Sequence, residues 1–494
     1  MMSRIYATGS KVLIWLGHAD KRKVKATLDL VCQLVAERIA LFNHMENPDP
    51  RNPDPHYLWY ADKRNKYTVV MPEEPRFNPA TQRDHLIFLT TLFKAPWFER
   101  VWVVQEYVMA SQADVYWGNA SIRFDFLGEA AVYVTENYDS VFKHYRASWG
   151  LNNCKNMYRL RQYLGETVTF WQTFLALRNR QATDPRDKIY ALLGLPISDR
   201  GPDWCFPMKP DYTLSQAEVY HTTARKLLVE RQEVDVLTHV QHGRQIRSTW
   251  ASWVPDWSTN HGAGDAFAGM NISNHLPANI TIPEDCETCS TKSYDSISLK
   301  GFVVDAVQSL TSDYFGYKKI PTRAYRLGPP PERTRWLNAI AGFVTSYEKC
   351  FDDDKLANSL TGGYTMDEDL TSPELFNHMT DYHNLIAFAR NPSESQPEYT
   401  ERTHNLFNLV INTIARRRFF ITGKGMLGLG PAAIKGSDVV VILFGGSVPF
   451  VLRPSGDGRH WRLVGACYVH DMMDGRAVDT WRGSGEPVMN FHLF

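Results

Sequence analysis

Val12-Leu13-Ile14-Trp15-Leu16 is apolar at five successive positions, and Gly17 closes the run. A strand buried on one face alternates apolar and polar residues, so an unbroken run reads as a strand covered on both faces, as in a parallel sheet. Such a strand needs a neighbour on each side, yet this one begins only eleven residues into the sequence. Downstream, Ala26 to Phe42 predicts an amphipathic helix with Leu28, Val31, Leu34, Val35, Ile39 and Phe42 on one stripe. Asn47 to Pro55 is a proline-rich loop, and His85 to Phe93 predicts a helix. A further helix is expected from Pro96 through PWFERVWVVQEYVMA, since proline suits a first helical turn. Asp114–Trp117 and Ser121–Phe124 flank Gly118-Asn119-Ala120 as a hairpin. Residues 1–145 therefore read as an α/β domain.

Helical signals dominate the next stretch, 146–245. Asp184-Pro185-Arg186-Asp187 supplies a cap, a first-turn proline and an acid, with Gly194 as the stop, and Ser215-Gln216-Ala217-Glu218 is a capping box. The third part, 246–494, reads as α+β. It holds a strand at 296–310, helices near 333–349, 374–390 and 403–416, and a tail of short strands (FFIT, DVVVILF, PFVLR, RHWRLVGACYV) suited to a small antiparallel barrel or sandwich.

Lys+Arg and Asp+Glu both number 54 in 494 residues. With no basic excess, nucleic acid and anionic membrane are poor partners. Seven irregularly spaced cysteines point to a reducing compartment rather than a disulfide scaffold. No apolar run approaches the ~18 residues that a membrane span needs. No signal-peptide core is visible either, so the cytoplasm is the expected location.

Several blocks, taken in order, resemble the fungal heterokaryon-incompatibility (HET) family. Arg4-Ile5-Tyr6-Ala7 through Gly17 is similar to "IY..A..V.VWLG". Trp97 to Glu106 (WFERVWVVQE) is similar to "WF.R.WV.QE". Asp184 to Leu195 (DPRDKIYALLGL), Asp211-Tyr212 and Glu218-Val219-Tyr220 resemble the blocks that follow the domain. Arg418–Pro431, Val448–Arg453 and Val464–His470 resemble the C-terminal region of long HET proteins. The family's opening strands, resembling "Y.ALSY.WG" and "WID..CINQ", do not occur, so the chain is expected to begin inside a partial HET domain. The resemblance implies a TIR-like, doubly wound α/β fold and a role in non-self recognition and programmed cell death. It also implies protein partners of the incompatibility system, with homo-oligomers among them.

HET domains are similar to TIR domains, whose enzymatic members cleave NAD with a glutamate in a Trp-x-x-x-Glu pattern. Trp102-Val103-Val104-Gln105-Glu106 has that pattern, and on a helix the i,i+4 spacing puts Trp102 and Glu106 on one face. Breaking a nicotinamide–ribose bond builds positive charge on the sugar, which a fixed carboxylate stabilises. Glu106 is thus the candidate catalytic residue, with Trp102, Arg100 and Gln105 as candidate binding residues and NAD as a substrate rather than a cofactor. The competing readings are a partly buried Glu106 paired with Arg100 or another base, and a chain that acts through protein contacts alone. Without the opening strands the chain is expected to be inactive as a hydrolase.

Other motifs point away from chemistry. The charges of Asp184–Asp187 fit helix capping. Cys286-Glu287-Thr288-Cys289 is a lone pair, with His261 and His275 the nearest histidines, so a loop is favoured over zinc and no metal is expected. Gly423-Lys424-Gly425-Met426-Leu427-Gly428 fits a dinucleotide fingerprint formally, but Leu429-Gly430-Pro431 follows where a helix is required, which leaves a glycine-rich turn. Arg416-Arg417-Arg418 suits a helix C-terminus. Trp250, Trp253 and Trp257 are expected to pack at an interdomain seam, with ligand stacking the alternative.

Overall fold

The computed structural model describes residues 2–44, 77–78, 82–137, 148–163, 168–195, 197, 209–247, 250–259, 276–278, 280–281, 296–310, 331–363, 378–390, 401–473 and 475–494. The loop expected at Asn47 to Pro55, the Cys286/Cys289 pair and both nearby histidines lie outside these residues. The chain divides into two compact units, Met1–Gln216 and Ala217–Phe494. The helical stretch 146–245 is therefore shared between them. No described helix is long and apolar enough to cross a membrane.

The first unit opens with helix α1 (Met2–Thr8), followed by strand β1 (Val12–Trp15) and the long helix α2 (Lys21–His44). After α3 (Arg83–Phe93) and the short α4 (Val103–Val108) come β2 (Ala113–Trp117), β3 (Ala120–Arg123) and α5 (Phe124–Asn137). The sheet runs β1-β2-β3: β1 pairs parallel to β2 through Val12↔Ala113 to Trp15↔Tyr116, and β2 turns into β3 as an antiparallel hairpin. The hairpin is the one its turn residues predicted. The run in β1 departs from expectation, because parallel pairing occurs on one edge only among the described residues. Ile14 is buried, while Leu13 and Trp15 are 64% and 52% exposed. An apolar run fixes which backbone conformation is favoured, but neighbours decide how many of its faces are covered.

Helices α2, α5 and α6 (Ser148–Gln162) form the core beside this sheet. Val31, Leu34 and Val35 of α2, Leu127, Ala131 and Val134 of α5 and Met157 of α6 are all buried where these helices pack. Arg38 pins the outer side of the bundle with ion pairs to Glu129 (2.8 Å) and Glu136 (2.7 Å). Next, α7 (Phe170–Leu177) starts at a capping box made by Thr169 and Gln172, and the single turn α8 (Asp187–Tyr190) follows.

In the second unit, α9 (Gln216–Arg225) and the 3-10 turn Val234–His239 precede a nine-stranded sheet. Its strands are β4 (Ile280–Thr281), β5 (Ile297–Leu310), β6 (Arg417–Thr422), β7 (Leu427–Pro431), β8 (Val439–Leu443), β9 (Phe450–Pro454), β10 (His460–Ala466), β11 (Tyr468–Val469) and β12 (Met489–Leu493). The order is β11-β7-β6-β5-β12-β10-β9-β8, with β4 also on β5, and β5 pairs with β8 as well. All pairs are antiparallel except β10 with β12. At the crossing with β8, Gly301 is required: a Cβ there would lie 2.2 Å from the Ile442 carbonyl oxygen. Helices α10 (Pro331–Tyr347), α11 (Asp353–Thr361), α12 (His378–Arg390) and α13 (Glu401–Ile414) pack together beside the sheet, and Phe343 stacks on Phe419 with ring centroids 3.8 Å apart. Helix α14 (Arg476–Ser484) lays Trp481 flat on Phe302 at 4.9 Å.

Two buried polar knots tie this unit. His242 Nε2 lies 2.9 Å from the Leu463 carbonyl oxygen and 3.2 Å from that of Ser252, and burial pulls its pKa down to about 4. The Asp438 carboxylate accepts from Arg453 Nε at 2.8 Å and from the Lys435 amide at 2.8 Å. Trp250, Trp253 and Trp257 pack inside this unit against Tyr220 and His221 of α9.

Candidate functional site

Trp97 to Glu106 does not continue as one helix. Pro96–Glu99 makes a single 3-10 turn, Arg100 is extended, and α4 starts anew at Val103. The break is imposed from about eighty residues away. The Gln181 amide donates to the Glu99 carbonyl at 2.6 Å, and the Val101 amide donates to the Gln181 carbonyl at 2.9 Å, so a strand-like bridge replaces helical bonds. Arg180, wholly buried, reinforces it. Its guanidinium donates to the carbonyls of Phe98 (2.9 Å), Arg100 (3.3 Å) and Asn153 (2.7 Å). Burial lowers its pKa to about 9. Lys188 donates to the carbonyls of Arg178 (2.8 Å) and Arg180, and burial brings its pKa to about 8. Backbone carbonyls thus solvate two interior cations.

One side of α4 locks onto the Asp184–Leu195 segment. Trp102, the residue capping α4, donates its indole N–H to Asp187 Oδ2 at 2.9 Å, and the Tyr212 hydroxyl donates to Asp187 Oδ1 at 2.7 Å. Buried Gln105 donates to the Ala191 carbonyl at 2.6 Å. Gly194 makes that approach possible, because a Cβ there would come within 2.6 Å of the Gln105 amide nitrogen. Asp184 accepts from the Arg186 amide at 3.0 Å and from the Arg186 guanidinium, which reaches on to the carbonyls of Tyr212 and Leu214. Asp184 thus holds the turn ahead of α8 rather than capping it: the helix starts only at Asp187, its N-cap is Arg186 with no side-chain cap bond, and it is one turn long.

The other side of α4 carries Glu106, half-buried. Its Oε2 accepts the indole N–H of Trp97 at 3.3 Å, and Oε1 takes no hydrogen bond among the described residues. Trp97 is held edge-on by Phe98 (5.3 Å) and Phe124 (5.9 Å). Helix α1 packs against α4 and brings Tyr6 close. Burial raises the phenol's pKa, the Glu106 carboxylate raises it further, and Arg100 opposes them. The Arg100 side chain is exposed and makes no ion pair with Glu106 among the described residues.

The structure thus separates the predicted set. Trp102 and Gln105 anchor α4, Arg100 sits outside, and Glu106 gathers Trp97 and Tyr6 instead. Tyr6, Trp97, Arg180, Asp187 and Tyr212 were not singled out from sequence. Four of them lay inside blocks quoted for the resemblance or for capping, Tyr6 in RIYA, Trp97 in WFERVWVVQE, Asp187 in DPRD and Tyr212 in Asp211-Tyr212, whereas Arg180 carried no signal. Chemically, a half-buried carboxylate with one oxygen held and the other open suits stabilisation of a nearby cation more than ion pairing.

The remaining motifs are structural. Gly423–Met426 form the hairpin turn between β6 and β7, where the Lys424 amide donates to Asp305 Oδ2 at 2.6 Å. Arg417 donates to the Thr413 carbonyl at the end of α13. No group of three or more potential metal ligands occurs among the described residues.

Comparison with known proteins adds three findings. Residues 1–106 match the family "Heterokaryon incompatibility protein (HET)". Residues 392–484 match the "Het-6 beta-barrel domain". The chain is 22% identical over 559 residues to "Heterokaryon incompatibility protein 6, OR allele" of Neurospora crassa, an alignment covering 97% of this chain and 78% of that protein. No solved structure matches it significantly. With a HET match ending at Glu106, a Het-6 barrel match in the second unit and a relative that spans both, the chain is a fungal HET-domain protein.

Proposed function

We propose that this protein acts in fungal heterokaryon incompatibility, the non-self recognition that ends in programmed cell death when incompatible strains fuse. The likeness to an incompatibility protein along 97% of the chain carries the reading. Its first unit is read as the effector, TIR-like in fold, and its C-terminal sheet as a small barrel closed where β5 meets β8. A cytosolic location and protein partners, including further copies of the chain, belong to the same reading.

The chemistry proposed for the effector is cleavage of the nicotinamide–ribose bond of NAD at Glu106. The C–N bond breaks with its electron pair leaving on nicotinamide, which departs neutral. The ribose becomes an oxocarbenium ion beside the carboxylate, and water adds to it with release of a proton. Trp102 and Gln105 support binding by holding α4, and the exposed Arg100 is available to the dinucleotide phosphates. Expression of the chain and its Glu106→Ala variant in a filamentous fungus, with growth and cellular NAD followed, tests this. Growth arrest with NAD loss in the parent and neither in the variant supports it. Growth arrest that survives Glu106→Ala favours a second reading, a non-enzymatic protein-contact role, which the exposed Leu13 and Trp15 support.

A further inference from the structure

The Trp-x-x-x-Glu pattern pairs Trp102 with Glu106 by spacing, but the indole N–H of Trp102 is committed to Asp187 at 2.9 Å. Asp187 is engaged a second time by the Tyr212 hydroxyl, so that tryptophan belongs to the frame beneath α4. The indole that reaches the Glu106 carboxylate comes from Trp97, nine residues earlier and on the far side of the helix break. We infer that Trp97 is the positioning residue for Glu106, holding Oε2 through its indole N–H and turning Oε1 toward the reacting sugar. The inference rests on the hydrolase reading given above.

Three observations carry it. Trp97 is itself fixed, edge-on to Phe98 and Phe124, so its N–H points in one direction. The 3-10 turn that bears it is held by Arg180 and Asn153 through the Phe98 carbonyl, which couples its placement to the buried cations. Tyr6 sits on α1, which packs against α4, close enough that the Glu106 carboxylate adds to the rise that burial gives its phenol pKa. A neutral donor on one oxygen steers a carboxylate without neutralising it, which leaves its charge for the transition state.

The test replaces Trp97 by Phe in the full chain, which keeps the ring packing and deletes the N–H. Trp97→Phe is expected to lower kcat for NAD cleavage about tenfold, the worth of one hydrogen bond, with KM and the unfolding midpoint unchanged. Trp102→Phe is expected instead to lower the unfolding midpoint. A Trp97→Phe protein with the parent's kcat, or one whose loss of rate follows a loss of stability, overturns the inference. A parent chain with no turnover sinks the hydrolase reading separately. The pairing is then read from the indole 15N–1H resonances, where Glu106→Gln should move the Trp97 signal and leave that of Trp102 in place. An unmoved Trp97 signal overturns the inference in that case.

Discussion

Strands β1 and β5 are built from similar apolar material and have opposite fates. β1 has one neighbouring strand among the described residues and leaves Leu13 and Trp15 largely exposed. β5 has four, with β12 and β6 along one edge and β4 and β8 along the other, while the hairpin turn of β6–β7 rests on its Asp305, and Ile297, Leu299 and Phe302 are buried. Composition proposes a strand, and the number of partners sets what each side chain is worth. A substitution in β5 should therefore cost far more than one in β1.

The sharpest break of this contrast is Gly301→Val. Its side chain would run into the Ile442 carbonyl where β5 crosses β8, and a loss of about 4 kcal/mol in denaturant unfolding is expected, as for a severe backbone clash. A loss under about 1 kcal/mol would mean that the crossing is loose. Next in size is acid. Folded His242 resists protonation down to about pH 4, whereas the unfolded chain takes a proton near 6.5. The unfolded state therefore binds more protons in that window, and stability falls as pH drops from 6.5 to 4, by roughly 3 kcal/mol for this residue. The difference in urea unfolding between the parent and His242→Gln at pH 7 and pH 4.5 isolates that share.

In the first unit, Gln105→Ala leaves the Ala191 carbonyl without its buried donor and opens a cavity beside Gly194. A loss of about 2 kcal/mol is expected, with a lower thermal midpoint as the readout. The smallest effect belongs to the open strand. Leu13→Ser should change stability by no more than about 0.5 kcal/mol while reducing self-association in sedimentation, because it removes exposed apolar surface. A loss of several kcal/mol there would show that β1 has a covering neighbour in solution.

Legibility in the sequence followed the range of the interactions. The hairpin around Gly118-Asn119 and the turn at Gly423 to Met426 are decided by their own residues, and both stand where the pattern put them. Helix α11 was missed although Asp352 caps it on the Lys355 amide. Helix α14 and β12 were missed as well. The Met489–Leu493 strand pairs with residues nearly two hundred positions earlier, and nothing local marks it. The same limit applied at the site. Glu106 was legible as the acid of its block, but its indole partner depends on a break that Arg180 and Gln181 impose from a distant part of the chain.

Arg100 contributes to the molecule in two separable ways. Its carbonyl is fastened by Arg180 and its amide by Trp97, whereas its side chain is exposed and makes no ion pair among the described residues. Any residue but proline supplies the same peptide group. The scaffold therefore tolerates changes of charge, size and polarity at position 100, and a substitution there reports on what the guanidinium binds rather than on how the chain folds.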